Sequence, residues 1–157
     1  MQPDTLISEA VIRDQAQKDG VTHLSTGVAV VRDKKILLVR RVADDFMGGH
    51  LELPGGGVDE GETIEEGARR ELKEETGLTV SKVLATFPGF DYSTSKKQHV
   101  RQINFLVEVE PGDVRLDPAE HDDYIWVDID TIDTISTSDE IRACVREALR
   151  IVEKRAI

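Results

Sequence analysis

The chain has 157 residues, of which 39% are apolar and 32% charged, and its formal net charge is −11. This length suits one ordinary domain with its own core, and no apolar run approaches the roughly 20 residues that span a bilayer. The acidic balance argues against nucleic acid as a partner, since a phosphate backbone is bound by clustered Lys and Arg. A single cysteine cannot form an internal disulfide and the first residues do not resemble a secretory signal, so we expect a cytoplasmic protein.

The N-terminal part of the chain predicts a hairpin preceded by an arm or a helix. In residues 1–20, four apolar residues have the spacing of a helix, and an extended arm is the alternative. These residues are Leu6, Ile7, Ala10 and Val11. Short β-rich runs at 27–31 and 36–39 are separated by the polar turn 32–35, which is the pattern of two antiparallel strands.

A helix is predicted over 63–76, with a clear signal at each end. Thr63 can cap the free backbone N–H groups while Glu66 reaches back to it, and Gly77 can adopt the left-handed conformation that ends a helix. Both ends follow from local chemistry.

The remaining elements are strands followed by a last helix. Three further strands are predicted at 79–90, 99–109 and 124–127. The polar run 91–98 indicates an exposed loop, and apolar residues at helical spacing after Ser138 predict the C-terminal helix. Strands that surround two helices place the fold in the α/β or α+β class, with a mixed sheet.

Three carboxylates are predicted to converge on one face of the first of these helices. Glu71, Glu74 and Glu75 occupy positions i, i+3 and i+4. Like charges at this spacing destabilise a helix, so a divalent cation that offsets them is favoured. Carboxylate oxygens are the ligands that Mg²⁺ prefers. In a chain with 31 acidic residues, however, a solvated acidic surface is the alternative interpretation.

A glycine-rich segment precedes that helix. Gly55, Gly56 and Gly57 follow Pro54 and let the backbone approach a ligand closely, and one of their carbonyl groups could bind a metal ion. The segment lacks the Gly-Lys-Ser/Thr ending of a P-loop, which excludes an ATPase of that class.

The combined spacing of these features resembles the Nudix box at every specified position. The matching residues are Gly56, Glu62, Arg70, Glu71, Leu72, Glu74, Glu75, Gly77 and Leu78. The probability of chance agreement at nine positions is very small, so we favour the resemblance over the interpretation as a solvated acidic surface. The MutT-like branch is also similar upstream of the box, through Arg40-Arg41, Ala43-Asp44, Met47, Leu51-Glu52 and Pro54-Gly55-Gly56.

The resemblance implies a fold and a set of site residues. It implies an α/β/α sandwich with the mixed sheet between helices, formed by a single Nudix domain over 21–157. Mg²⁺, with Mn²⁺ as a substitute, would be bound by Glu71, Glu74, Glu75 and the Gly55 carbonyl. Glu120 would be the general base or a further metal ligand. Glu62 would act behind the ligands, and Arg70 would orient a carboxylate.

Further residues are candidates for contact with the substrate. Gly55, Gly56 and Arg41 would contact its phosphates, although Arg41 could equally form a surface ion pair. Aromatic residues that could stack on a base are found among Phe46, Phe90, Tyr92 and Phe105. The four histidines lack zinc-ligand spacing and are interpreted as ordinary, while Cys144 and Trp126 are interpreted as core residues.

The resemblance implies hydrolysis of a phosphoanhydride bond in a small-molecule nucleoside diphosphate derivative. Nucleoside triphosphates, cleaved to the monophosphate and pyrophosphate, rank first; nucleotide sugars or ADP-ribose rank second. Asn104 is the only asparagine and lies in a predicted strand, whereas the MutT-like branch recognises oxidised purines with an asparagine near its last helix, so a preference for 8-oxo-dGTP is not expected. A non-catalytic nucleotide sensor is the alternative from another class, and a homodimer is expected by family analogy alone.

Overall fold

The computed structural model describes residues 6–43 and 48–157. These residues form a mixed α+β structure, in agreement with the predicted class. The elements are α1 (Glu9–Lys18), β1 (His23–Arg32), β2 (Lys35–Arg41), β3 (Leu51–Glu52), α2 (Ile64–Thr76), β4 (Val80–Ser93), β5 (His99–Val109), β6 (His121–Val127), a 3-10 turn (Ile132–Thr134) and α3 (Asp139–Arg155). None of the helices described is long and apolar enough to cross a membrane.

The strands form one mixed sheet with the order β3-β2-β1-β5-β4, and β6 also pairs with β2. The β1–β5 pair is parallel, whereas the β1–β2, β2–β3, β2–β6 and β4–β5 pairs are antiparallel. Helices cover both faces of the sheet. Successive side chains of a strand point to opposite faces, so alternate residues of β1 pack against different helices. Ala29 and Val31 pack in the same core cluster as α3, while Val28 and Val30 pack in the cluster that contains α1 and α2.

Strands β1 and β2 are paired only near their connecting turn, at Val31–Ile36 and Arg32–Lys35. Beyond these pairs the two strands separate. The glycine segment, defined here as Pro54–Gly57, lies along the edge of β1 that β2 leaves unpaired. The backbone N–H of Thr26 donates to the Gly56 carbonyl at 2.8 Å, and that of Val28 donates to the Pro54 carbonyl at 2.7 Å. The glycine segment is therefore held to the central strand by backbone hydrogen bonds.

The ends of α2 confirm the local prediction. Thr63 Oγ1 accepts a hydrogen bond from the Glu66 N–H at 3.0 Å, and Glu66 Oε1 accepts one from the Thr63 N–H at 2.8 Å. Gly77 follows the helix with a φ of +75°, in the left-handed region. The two ends of α2 therefore determine where its acidic residues lie along the glycine segment.

Two predicted boundaries are wrong, and one strand was not predicted. Strand β4 continues through Asp91 and Tyr92 to Ser93, inside the predicted loop 91–98, because these polar residues pair with Arg101, Val100 and His99 at the edge of the sheet. Strand β6 begins at His121 rather than residue 124. The two-residue strand β3 is too short to leave a pattern in the sequence. In α1 the buried residues are Ile12 and Ala16, whereas Val11 is exposed, as is Leu6 before the helix.

The start of α3 provides a test of local stability. Ser138 caps this helix, its hydroxyl accepting a hydrogen bond from the Ile141 N–H at 3.1 Å. We expect Ser138→Ala to lower the free energy of unfolding by about 1 kcal/mol, since an orphan N–H group loses its partner. Denaturant titration measures the change. The matched control is Ser136→Ala, two residues before the cap, and an equal loss in both variants would contradict the assigned cap.

Candidate active site

The glycine segment touches both the central strand and the acidic helix. Gly55 has a φ of +151°, and a Cβ atom added to it would lie 2.0 Å from the Thr26 carbonyl oxygen. Its backbone N–H donates a hydrogen bond of 3.0 Å to Glu75 Oε1. Only glycine fits this close approach to β1. The hydrogen bond to the Glu75 carboxyl joins the glycine segment to α2.

The three acidic residues of the helix face have different environments. Glu75 is 6% exposed and lies against Gly55. Glu71 is partly buried beside Gly56, whose added Cβ would lie 2.5 Å from Glu71 Cδ. The side chain of Glu74 is 57% exposed and lies 3.3 Å from Arg70 Nη1. Glu71 and Glu75 therefore face the glycine segment, and Glu74 stands at its solvent edge.

Burial penalises the negative charge of the two inner carboxylates. Desolvation raises the pKa of Glu75 to about 7, although the Gly55 N–H and the nearby His121 favour its charged form. Desolvation also raises the pKa of Glu71, against the opposing effect of Arg70. A divalent cation would remove this penalty, and the hard carboxylate oxygens suit Mg²⁺ or Mn²⁺. The donor set present fits the implied metal.

Arg70 connects the acidic residues with the glycine segment. Its Nε and Nη2 atoms donate to the two carboxylate oxygens of Glu62 at 2.7 and 3.0 Å. Its Nη2 also donates to the Gly57 carbonyl at 3.0 Å, and its Nη1 to Glu71 Oε1 at 3.0 Å. The hydrogen bond with Glu62 is the main cause that raises the pKa of Arg70. Arg70, held by two hydrogen bonds to Glu62, thus orients Glu71 through a third, as the family resemblance implies; the catalytic importance of these residues stays a prediction.

Replacement of that arginine by lysine tests the orienting effect. A lysine keeps the charge but cannot donate to both oxygens of Glu62 while also reaching Gly57 and Glu71. We expect Arg70→Lys to weaken divalent-metal binding and activity by about tenfold to a hundredfold. The matched control is Arg69→Lys, whose arginine forms an exposed ion pair with Glu65 at 2.9 Å. Equal effects of the two variants on metal titrations would refute the assignment.

Glu120 lies close to Glu75 of the acidic helix. A carboxylate oxygen of Glu75, one of Glu120 and a ring nitrogen of His121 all lie within 4.8 Å of one another. His121 is 2% exposed, and its Nε2 lies 2.9 Å from Glu52 Oε2. Glu120 therefore belongs to the same site as Glu75, although it comes 45 residues later in the chain.

Sequence reasoning missed His121 and Glu52. The interpretation of His121 as an ordinary residue overlooked its burial beside Glu75. Its position follows from the pairing of β6 with β2, which places it opposite Arg41, and no local pattern reveals that register. The resemblance did include Glu52, but without assigning it a role.

The other candidate residues are divided between the site and the core. Arg41 Nε donates to Glu52 Oε1 at 3.0 Å, so this candidate for phosphate contact is already in an ion pair. Phe46 lies outside the described residues. Phe105 is buried in the core with α2, which rules it out as a stacking partner for a base, whereas Phe90 and Tyr92 reach the surface.

The two residues assigned to the core differ in their degree of burial. Cys144 is buried in the α3 cluster, as predicted, and burial raises the pKa of its thiol. Trp126 is partly buried against the other cluster, and the Arg32 guanidinium lies 5.4 Å from its ring centroid.

Comparisons with known proteins identify the family to which this fold is related. The model of the NUDIX domain matches residues 21–148. The ADP-ribose pyrophosphatase of Methanocaldococcus jannaschii is 37% identical over 114 residues, which cover 69% of this chain and 66% of that protein. The 8-oxo-dGTP diphosphatase of Escherichia coli is 43% identical over 58 residues, or 36% of this chain and 45% of that protein.

A solved structure shows the same fold. The MutT protein of Methanosarcina mazei is 27% identical and superposes with a TM-score of 0.71, over 82% of this chain and 93% of that one. The present chain spans less than two thirds of the length of the two curated relatives. The domain match covers most of the chain and includes the glycine segment, α2 and Glu120. The chain therefore belongs to the Nudix family.

Proposed function

We propose that the chain hydrolyses a phosphoanhydride bond in a nucleoside diphosphate derivative, with a divalent cation as cofactor. The proposal depends on one observation above all: the buried Glu75 carboxylate is held by the Gly55 N–H beside Glu71 and Glu120. Burial disfavours the negative charge of Glu71 and Glu75, and the neighbouring glycine backbone allows close approach, so the cluster is suited to a cation and a phosphate together. The family supports the same reaction class.

The proposed metal ligands are Glu71, Glu74, Glu75, Glu120 and the Gly55 carbonyl. When bound, Mg²⁺ or Mn²⁺ would polarise the phosphates and lower the pKa of a water molecule. Glu71 and Glu75 supply the partly buried ligand oxygens, and Glu74 joins them from the solvent edge. Arg70 and Glu62 fix the rotamer of Glu71, because Arg70 Nε donates a hydrogen bond to Glu62 while Arg70 Nη1 donates one to Glu71.

The remaining residues position the substrate and the attacking water. Glu120, beside Glu75, is proposed to accept the proton of that water or to complete the ligand set. Gly55 and Gly56 allow the phosphates to lie against the backbone, and Arg41 contributes positive charge from its pair with Glu52. Phosphoryl transfer of this type depends on positioning and electrostatics, so no protein nucleophile is required.

We propose the substrate classes in the same order as the sequence analysis did. Nucleoside triphosphates come first, supported by the 43% identity over 58 residues to an 8-oxo-dGTP diphosphatase. Nucleotide sugars or ADP-ribose come second, and the longer match to an ADP-ribose pyrophosphatase supports ADP-ribose. Cytoplasmic location and a homodimer stay predictions.

A substrate panel tests the proposal. The intact protein is incubated with Mg²⁺ and the four nucleoside triphosphates, ADP-ribose or a nucleotide sugar, and the released phosphate compounds are measured before and after addition of EDTA. We expect hydrolysis that ceases when the cation is removed and resumes when Mg²⁺ is restored. Tight binding of these compounds without turnover would instead identify a nucleotide sensor.

A further inference from the structure

Two side-chain amides lie on the opposite side of β1 from the glycine segment. In the parallel β1–β5 pair, Gln102 stands opposite Ser25 and Asn104 opposite Gly27. A Cβ added to Gly27 would lie 2.4 Å from Gln102 Nε2 and 2.5 Å from Asn104 Oδ1, so both amides rest directly on this glycine. The Cα of Gly27 is itself 3.2 Å from the Cβ position of Gly55. The amide pair and the glycine segment thus flank one residue.

The spacing between these two features suits a nucleotide. The glycine segment and β5 are both neighbours of β1, so they are separated by two strand spacings, roughly 10 Å. The phosphates of a nucleotide bound at the glycine segment would lie on one side of β1, which brings its base toward the amide pair on the other. An inference from this arrangement therefore rests on the proposed function.

The orientation of the amide pair is determined by a backbone carbonyl. Pro88 offers only an acceptor, and Asn104 Nδ2 lies 3.4 Å from it, so Asn104 must turn its NH₂ group that way. Asn104 Oδ1 then accepts a hydrogen bond of 2.9 Å from Gln102 Nε2. Asn104 is 0% exposed, which makes it a positioning residue that no ligand touches.

Gln102 keeps hydrogen-bonding capacity that the protein does not use. Its side chain is half-buried, and no group among the described residues donates a hydrogen bond to its Oε1 atom. The second N–H of its amide is likewise without an acceptor in the described part of the chain. The free edge of Gln102 therefore presents one acceptor and one donor side by side.

Aromatic rings stand next to this edge. Tyr92 reaches across β5, where its hydroxyl lies 3.4 Å from Ser25 Oγ, and 41% of the residue is exposed. The rings of Phe90 and Tyr92 lie 5.9 Å apart. Since Ser25 is opposite Gln102, the Tyr92 ring is on the same face of the sheet as the amide and can stack on a planar base.

We propose that Gln102 selects the base of the bound nucleotide, and that it favours adenine. A glutamine amide forms two hydrogen bonds with adenine, its oxygen accepting from the 6-amino group and its nitrogen donating to the adjacent ring nitrogen. The pairing uses the two groups that Asn104 leaves free. Gln102 acts on recognition and takes no part in bond cleavage.

The test compares binding of AMP with that of purine riboside 5′-monophosphate, which lacks the 6-amino group but keeps the ring and the phosphate. Calorimetry is done on the intact protein and on Gln102→Leu. We expect the intact protein to bind AMP about tenfold to a hundredfold more tightly than the analogue, and the variant to bind both within about threefold. Gln102→Met, which keeps the side-chain length, replaces the leucine variant if thermal unfolding shows that leucine disturbs the fold.

The control is Gln15→Leu, a glutamine on α1 beside the opposite face of the sheet, which should keep the preference of the intact protein. A preference for AMP that survives in Gln102→Leu would overturn the inference, as would equal binding of the two ligands or tighter binding of GMP by the intact protein. These binding measurements are independent of turnover. Absence of hydrolysis on the substrate panel would therefore refute the proposed function without deciding base selection.

Discussion

Glu75→Gln is expected to lower the hydrolysis rate by about a thousandfold, the largest effect of any substitution in the site. The substitution keeps the size of the side chain and an oxygen acceptor for the Gly55 N–H, whose hydrogen bond to Glu75 is 3.0 Å long. It removes the negative charge that would bind the cation. Initial rates with Mg²⁺, measured on the best substrate of the panel, give the effect directly.

The same variant should be more stable than the intact protein in the absence of metal. Burial raises the pKa of Glu75 from 4.5 to about 7, so the folded state resists losing this proton. As the pH rises through that interval, the unfolded chain ionises first and the metal-free protein loses stability, on the order of 3 kcal/mol by pH 7. Glutamine has no proton to lose. We expect thermal unfolding in EDTA to show a gain in stability for the variant at pH 8 and little difference at pH 4.5.

The control for both measurements is Glu65→Gln on the same helix. Glu65 is exposed and pairs only with Arg69 in the described structure. Its replacement should leave the activity and the pH dependence of unfolding nearly unchanged. If Glu65→Gln and Glu75→Gln lost activity equally, the damage would come from the loss of acidic charge in general, and the assigned role of Glu75 would be wrong.

Gly55→Ala is expected to lower the free energy of unfolding by about 3 kcal/mol and to remove most of the activity. The added methyl group would lie 2.0 Å from the Thr26 carbonyl oxygen, in a backbone conformation with φ of +151° that L residues rarely adopt. Relief of this clash must move the glycine segment away from β1. The segment would then also leave Glu75.

Gly57→Ala is the matched control, because a Cβ at Gly57 meets no atom within 4 Å. Chemical denaturation and activity of the two variants can be compared side by side. Wild-type-like stability of Gly55→Ala would show that the segment is not packed against the central strand. A loss in Gly57→Ala as large as in Gly55→Ala would point to chain flexibility rather than the clash.

Local chemistry made part of the structure predictable. The helix α2 could be bounded from Thr63, Glu66 and Gly77, since each of them acts on backbone groups within a few residues. The hairpin of β1 and β2 and the start of α3 after Ser138 were also predicted from patterns within a few residues. The class of the fold, a mixed α+β structure, follows from these local elements.

The register between distant strands was not predictable in this way. His121 stands next to Glu75 because β6 pairs with β2, and that pairing joins residues about eighty positions apart. The convergence of Glu71, Glu74 and Glu75 was predicted from helical geometry, but their unequal burial depends on where the glycine segment packs. Periodicity describes a face of a helix and not what covers it.

The parting of β1 from β2 allows one strand to carry two separate tasks. The edge that β2 leaves open receives the glycine segment through the N–H groups of Thr26 and Val28, while the other edge is paired with β5. A protein engineer who alters residue 102 would therefore work on a neighbouring strand, without touching the backbone bonds that hold Gly55 and Gly56. Base preference and bond cleavage could then be redesigned one at a time.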